Sequence, residues 1–390
     1  MVSIVSREPQ RVQRLAKPRI LLDALAYAPQ DGGFTTSLHD LLVSCREIDE
    51  FDFVVAHHRR CSPIFGQFDL PTLPVDFPEK LRFFASLVLL PLLVRKVRAD
   101  AVHCEISALP AGLGTAGSVT VHDLFFLEEP QMGGDTVGKR IMTHLYWKRI
   151  FIGSLRRARV VKAISETSAD DVRRLVGTDL PVAVAHHRVG RPRKAVRRRS
   201  WPDKGEPVRL LFVGNIVPRK NLPFLLQALP HFRGDWRLDI AGNLGWGTNG
   251  LGTMIRDPRV TVHGYVSDGE RDRLLLQCHV LIMPSAWEGF CYPVAEAMSH
   301  GMLVLTSDIN AFREYVPDEC RFGLDEPRHL AERYNRLDAT TYSRLLPLCR
   351  RAVRRFSPEA HVQSHRQIFH RLTESCERRG DNPNPATSAG

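Results

Sequence analysis

The sequence predicts an α/β protein of two domains built on parallel sheets, and three observations carry that prediction. Short apolar runs alternate with helical stretches along the chain, the pattern of strands covered by helices. The 390 residues are too many for one typical domain and comfortable for two. From His186 to Pro207 the pattern breaks: the segment is basic, carries Pro192, Pro202 and Pro207, and lacks sustained apolar periodicity, as a linker does. The chain therefore divides into a first domain over 1–190, a basic linker over 191–207, a second domain over 208–355, a C-terminal helix over 356–378 and a disordered tail over 379–390.

In the first half, strands are expected at Arg19–Asp23, Phe53–Ala56, Ala101–His103, Ser118–His122 and Val160–Ile164, and a helix follows Ser165 through Val176. In the second half, Val208–Val213, Arg237–Ala241, Val260–His263, Val280–Pro284 and Met302–Thr306 read as strands, with helices at Asn221–Leu229 and Asp268–Cys278. Phe83–Val94 is the one strongly apolar run, about 12 residues where a membrane span needs roughly 20. A buried helix is the expected reading. Flanking Lys80, Arg82, Arg95, Lys96 and Arg98 keep an interfacial helix open.

The 43% hydrophobic and 25% charged fractions suit a soluble globular protein with a sizeable core. Eight scattered cysteines with no Cys-x-x-Cys pair exclude a zinc framework or a small disulfide scaffold and point to reduced thiols. The first twenty residues are polar and basic, so no secretory signal is expected and the predicted location is cytoplasmic, with peripheral attachment to the cytoplasmic face of the membrane left open. The net charge of +11 calls for an acidic partner, with cations crowded into Arg188–Arg199 and Arg350–Arg355. No helix-turn-helix, RNP-type or zinc-finger pattern accompanies the charge, so no nucleic acid is expected. An anionic membrane surface, acidic substrates such as nucleotide diphosphates, and a merely solvated interdomain loop all fit it.

The most informative stretch is PSAWEGFCYPVAEAMSHGMLVLTSD, in which Glu288 and Glu296 stand eight residues apart. Glu288 falls on a glycine-containing loop, and Glu296 on the start of a helix opening near Pro293. Carboxylates suit sugar hydroxyls and a helix N-terminus suits a diphosphate, so the pair points to a nucleotide-sugar. Upstream, LLFVGNIVPRKNLPFLLQAL reads as a strand ending at Gly214, a loop carrying Arg219 and Lys220, and a helix that Asn221 can cap. Two cations at a strand's carboxyl end can neutralise a departing diphosphate. In HGYVSD, Tyr265, Val266 and the free backbone groups of the turn can hold a nucleobase edge, and Ser267 or Asp268 can cap the next helix.

The order VGNIVPRKNL, HGYVSD, PSAWEGFCYPVAEAMSHGMLVLTSD is similar to the C-terminal half of GT-B glycosyltransferases, specifically the large retaining family 4 (glycosyl transferases group 1). The likeness is good over 208–316 and thinner before it. It implies a GT-B fold: two Rossmann-like domains facing each other across a cleft, the first binding acceptor, the second binding donor, and the C-terminal helix packing back on the first. On this resemblance Glu296 grips the donor ribose and Glu288 stands beside the transferred sugar. Gly289, Phe290 and Cys291 supply N–H groups to sugar and phosphates, and Arg219 and Lys220 clamp the diphosphate. In the first domain, Gly32 and Gly33 resemble the glycine pair that approaches the donor phosphate. His122, in His122-Asp123-Leu124, resembles the active-site histidine. Three departures stand out. Cys291 replaces a common glycine, Asn215 replaces a common arginine, and His186-His187 replaces an asparagine-glycine turn.

The resemblance implies a retaining hexosyltransferase, with GDP-mannose favoured over a UDP-hexose as co-substrate and a saccharide or lipid-linked saccharide as acceptor. The chain contains no Asp-x-Asp, so metal-independent chemistry without a further cofactor is expected. Other GT-B readings are a non-catalytic scaffold and a sugar-phosphate synthase or phosphorylase. A nicotinamide dehydrogenase is a further possibility on fold alone, but the chain offers no convincing Gly-x-Gly-x-x-Gly directly after a strand.

Overall fold

The computed structural model describes residues 17–29, 32–128, 137–138, 141, 145–190, 200–243, 245 and 255–377. The expected tail over 379–390 and most of the basic linker, 191–199, lie outside them. Two Rossmann-like lobes emerge. The first is a seven-stranded parallel sheet in the order β3-β2-β1-β4-β5-β6-β7. Its strands are β1 (Arg19–Ala24), β2 (Asp52–His58), β3 (Thr72–Val75), β4 (Ala101–Cys104), β5 (Ala116–Val121), β6 (Val160–Ala163) and β7 (Val182–Val184). The second is a six-stranded parallel sheet in the order β10-β9-β8-β11-β12-β13. It contains β8 (Val208–Val213), β9 (Trp236–Ala241), β10 (Val260–Gly264), β11 (Val280–Met283), β12 (Leu303–Ser307) and β13 (Arg321–Phe322).

Side-chain alternation builds the layers. Leu21, Val102 and Val119 point into one core of the first lobe, while Ile20, Leu22 and Ala101 point into the core on the opposite sheet face. In the second lobe one continuous core joins Leu210, Phe212, Ile240, Ile282 and Leu305. Central strands such as β11 are buried along their whole length, as both faces of a parallel sheet must be. β10, at the sheet edge, is not. The short edge strands β3, β7 and β13 are absent from the sequence reading.

The helix Arg82–Val97 corrects the expectation of a buried one. Ala85, Leu90, Leu93 and Val94 pack into the core, but Val88 is 68% and Leu92 59% exposed. A helix laid on a sheet buries one stripe only, and this sequence is apolar on both faces. The helix after Arg219-Lys220 also differs: it runs over Leu222–Ala228, and Asn221 occupies the cap position without a side-chain cap bond. Its φ of 51° places it in the left-handed region, which asparagine tolerates.

The chain crosses between the lobes near 185–207 and returns near 353–358, and Val189 N–H donates to the Phe356 carbonyl where the two crossings meet, at 2.8 Å. The final helix, Pro358–Glu377, packs on the first lobe, with Phe369 against Phe51 and Phe53 and His361 Nδ1 2.7 Å from Ser44 Oγ. Phe369 is fully buried. Phe369→Ala should therefore lower unfolding free energy by about 3–5 kcal/mol in chemical denaturation, the usual cost of a large core truncation.

Candidate active site: the cleft between the lobes

The carboxyl ends of β8 and β11 open onto the cleft, where two loops meet. Gly214 directly follows β8, with φ 139°. Gly242, after β9, has φ 150°, and a Cβ there would sit 2.0 Å from the Gly214 carbonyl oxygen, so the backbones approach only because residue 242 is glycine. Arg219 and Lys220 lie on the short turn Pro218–Lys220, and Ala286 N–H donates to the Arg219 carbonyl at 2.8 Å, tying this turn to the loop after β11.

That junction gathers three charges. Lys220 Nζ lies 2.5 Å from Glu288 Oε1, Arg219 Nη1 lies 2.7 Å from Oε2, and Ser285 Oγ donates to Oε1 at 2.7 Å. Burial alone would raise the Glu288 carboxyl, yet Lys220 and Arg219 together hold it at about 2. Burial pushes the neighbouring Cys291 thiol up to about 12. Cys291 has φ 77° and precedes the helix Tyr292–Ser299 without capping it through its side chain. Left-handed geometry at this position accounts for glycine being a natural alternative there. The uncapped first turn borders the same cavity, and the Tyr315 hydroxyl holds the loop by donating to the Phe290 carbonyl at 2.5 Å.

The first lobe supplies the opposite wall. His122 Nε2 lies 2.9 Å from the Glu105 carbonyl oxygen. A carbonyl only accepts, so Nε2 carries the proton; burial lowers the ring's pKa, and the neutral ring keeps Nδ1 as an acceptor. The Glu105 carboxylate is anchored in turn by Lys162 at 2.9 and 3.0 Å, His103 at 2.9 Å, Thr120 at 2.7 Å and the Ser37 hydroxyl. Burial opposes its charge, but Lys162 and then His103 hold its pKa well below the carboxylate range. His122 thus rests on a buried ionic network.

The lobes touch directly around this cavity. A Cβ on Gly289 would stand 1.9 Å from the His122 carbonyl oxygen. The Tyr292 hydroxyl donates to Asp40 Oδ2 at 3.1 Å, and Arg188 Nε lies 3.7 Å from Asp40 Oδ1. His187 stacks on Tyr292 with ring centroids 4.5 Å apart. On the far side, Glu314 accepts from Thr167 N–H at 2.6 Å and Glu166 N–H at 3.2 Å, so a carboxylate of the second lobe caps the helix Glu166–Leu175 of the first. Burial raises the Glu296 carboxyl, countered by Arg271, whose Nε is 3.7 Å from Oε2 and has no hydrogen-bond partner.

Gly32, Gly33, His122, Asn215, Arg219, Lys220, Glu288, Gly289, Phe290, Cys291 and Glu296 all line one cavity of about 350 Å³. Tyr265 and Val266 are not among the lining residues, and Tyr265 is 77% exposed after the edge strand β10. Asp123, His187, Arg271 and Tyr292 line the cavity without having been singled out as site residues. Adjacency to His122 was a usable signal for Asp123, whose carboxyl burial pushes up to about 6. Among the described residues, no group of three or more His, Cys, Asp or Glu is placed to hold a metal ion.

Comparison with known proteins places this geometry. Along 92% of its length the chain superposes on all of the sucrose-phosphate synthase of Thermosynechococcus elongatus, with a TM-score of 0.71 at 17% identity. It covers 99% of Anabaena HepE, solved in complex with UDP-glucose, at a TM-score of 0.66 and 16% identity. The protein has the GT-B fold. Residues 207–338 match the family described as glycosyl transferases group 1. Over 116 residues the chain is 34% identical to O-antigen chain mannosyltransferase B of Escherichia coli, and over 127 residues it is 32% identical to the GDP-mannose-dependent alpha-mannosyltransferase of Mycolicibacterium smegmatis. These matches span 28% and 33% of this chain, and 30% and 32% of the relatives' own lengths.

Two predictions follow from the lobe contacts. Gly289→Ala drives a methyl into the His122 carbonyl, so the lobes must separate; small-angle scattering should show a larger radius of gyration, with the affinity of the cavity for a nucleoside diphosphate down by about tenfold or more. Burial, opposed by Arg188 and Tyr292 and reinforced by Glu296, pushes the Asp40 carboxyl up to about 7. Its proton is held more tightly in the folded than in the unfolded chain, so this group's contribution to stability falls as pH rises from about 4 to about 7. Asp40→Asn should raise the melting temperature more at pH 8 than at pH 5.

Proposed function

We propose that the protein is a metal-independent, retaining glycosyltransferase that moves a hexose from a nucleoside diphosphate sugar to a saccharide or lipid-linked saccharide. The observation that carries this reading is the convergence of Arg219, Lys220, Glu288, the uncapped Tyr292–Ser299 helix and His122 on one interlobe cavity. Within the Arg219–Lys220–Glu288 cluster two cations against one carboxylate leave a local positive charge, and the helix N-terminus adds to it. A diphosphate is the ligand such a site stabilises best, most of all when its charge grows as the bond to the sugar breaks.

In this reading the donor's anomeric carbon–oxygen bond breaks toward an oxocarbenium-like sugar. Arg219, Lys220 and the helix N–H groups take up the charge of the departing diphosphate. Glu288, ionised at neutral pH, faces the sugar and steadies its developing positive charge. Neutral His122 accepts from a sugar hydroxyl through Nδ1. The acceptor hydroxyl attacks from the face the diphosphate left, and a departing phosphate oxygen takes its proton, so no protein base is required. Glu296 holds the ribose hydroxyls beside Arg271. Mannose from GDP-mannose is the favoured donor, supported by the two named mannosyltransferases; a UDP-hexose is the alternative. The proposed setting is cytoplasmic synthesis of a polysaccharide or glycoconjugate.

A panel of nucleotide-sugars tested by thermal shift checks this reading: a nucleoside diphosphate sugar should raise the melting temperature, and failure of every donor and diphosphate to do so would overturn it. Lys220→Ala should lower turnover by about 10² with a smaller effect on donor KM, on the scale of losing one oxyanion-type donor. Glu296→Ala should mainly raise donor KM. Full turnover in Lys220→Ala would remove the clamp assignment.

A further inference from the structure

We propose that the outer face of the Arg82–Val97 helix is a docking surface for an anionic lipid bilayer. Phe84, Val88 and Leu92 recur every four residues and so form a single stripe, which Leu81 extends at the N-terminal end. All four are exposed, Leu81 by 51% and Phe84 by 39%. Val137, Ile141 and Leu145 repeat the four-residue spacing and are 70%, 56% and 49% exposed. Their segment leads into Tyr146–Phe151. There Phe151 joins Ile152 and Leu155 in the core cluster that also holds Ala85, Leu90, Leu93 and Val94. The Tyr146–Phe151 element and the Arg82–Val97 helix therefore pack on the same face of the first lobe's sheet. Monomeric proteins seldom leave so many large apolar side chains together in water.

Charge selects the occupant. Over 79–98 the chain carries five cations, Lys80, Arg82, Arg95, Lys96 and Arg98, against one carboxylate, and that one, Glu79, is taken up by Arg60 at 3.1 Å. The cations cluster at both ends of the stripe, where they reach a headgroup layer while the apolar residues enter the acyl boundary. A second copy of the chain placed on this face by two-fold symmetry would set these cations against like charge. The helix has 16 residues with Pro91 inside, and no described helix is long and apolar enough to cross a membrane, so this one lies on the surface. Its N-terminal end adjoins an open cavity of about 710 Å³ lined by His58, Arg59, Arg60, Phe77 and Lys80, at the carboxyl ends of β2 and β3. This surface stands on its own observations. It deepens the proposed function by favouring a lipid-linked acceptor, delivered beside the cleft.

The test is flotation of the full chain with vesicles of phosphatidylcholine alone and of phosphatidylcholine with about one third phosphatidylglycerol. Binding is expected to the anionic vesicles and to be at least about tenfold weaker to the neutral ones. The double variant Val88→Asp and Leu92→Asp should cut anionic-vesicle binding by about tenfold or more with an unchanged melting temperature, because both side chains already face water. Lys96→Glu with Arg98→Glu should weaken binding to anionic vesicles alone. Absence of binding, or binding indifferent to the apolar substitutions, overturns the proposal. So does a dimer in sedimentation that Val88→Asp and Leu92→Asp dissolve without any vesicle binding. The nucleotide-sugar thermal shift should persist in the double variant, which separates failure of this surface from failure of the glycosyltransferase reading.

Discussion

The ion cluster of Glu288 with Arg219 and Lys220 is the interaction on which the site depends. A carboxylate this deeply buried is costly unless opposite charges and hydrogen bonds meet it, and here both cations and Ser285 do so. The cations come from the turn after β8 and the carboxylate from the loop after β11, adjacent strands at the centre of the sheet. Their attraction therefore fixes the two loops against each other before any ligand arrives. The cost of orienting the charges is met during folding, which is what preorganisation means physically.

The rest of the cleft is arranged around that fixed point. Gly289 follows Glu288 directly, and its missing side chain allows the His122 carbonyl to close on it. Tyr292 reaches Asp40, and Glu314 reaches the start of the Glu166–Leu175 helix, so the lobes are joined by polar contacts on either side of the cavity. Polar interlobe contacts of this kind make and break more readily than a continuous apolar core, which suits a cleft that must admit and release ligands. Beneath His122, the Glu105–Lys162 network gives the first lobe its own rigid floor.

How much of this was legible in the sequence depended on whether the signal was local. A strand such as Val280–Met283 is buried on both faces, so it reads as an unbroken apolar run. Thr72–Val75 and Arg321–Phe322 are short and lie at sheet edges, where neither burial nor alternation marks them. The apolar run at 83–94 revealed a helix, but not which stripe the sheet would cover. Glu288, Arg219 and Lys220 could be paired from motif order. Asp40, His187 and Arg271 could not, because their places come from how two lobes meet, and no local pattern encodes that. Tyr265 looked suitable by position in its turn, yet edge-strand geometry leaves it facing water.

The double crossing between the lobes has a mechanical consequence. One strand of chain between two bodies permits swivelling in any direction, whereas two strands fastened side by side, as Val189 and Phe356 are, behave like the spine of a book. The covers can part and close about that spine but cannot twist past each other. Any opening that frees the cavity must then leave the facing walls in register, so that each return to the shut position reunites the same atoms without a search.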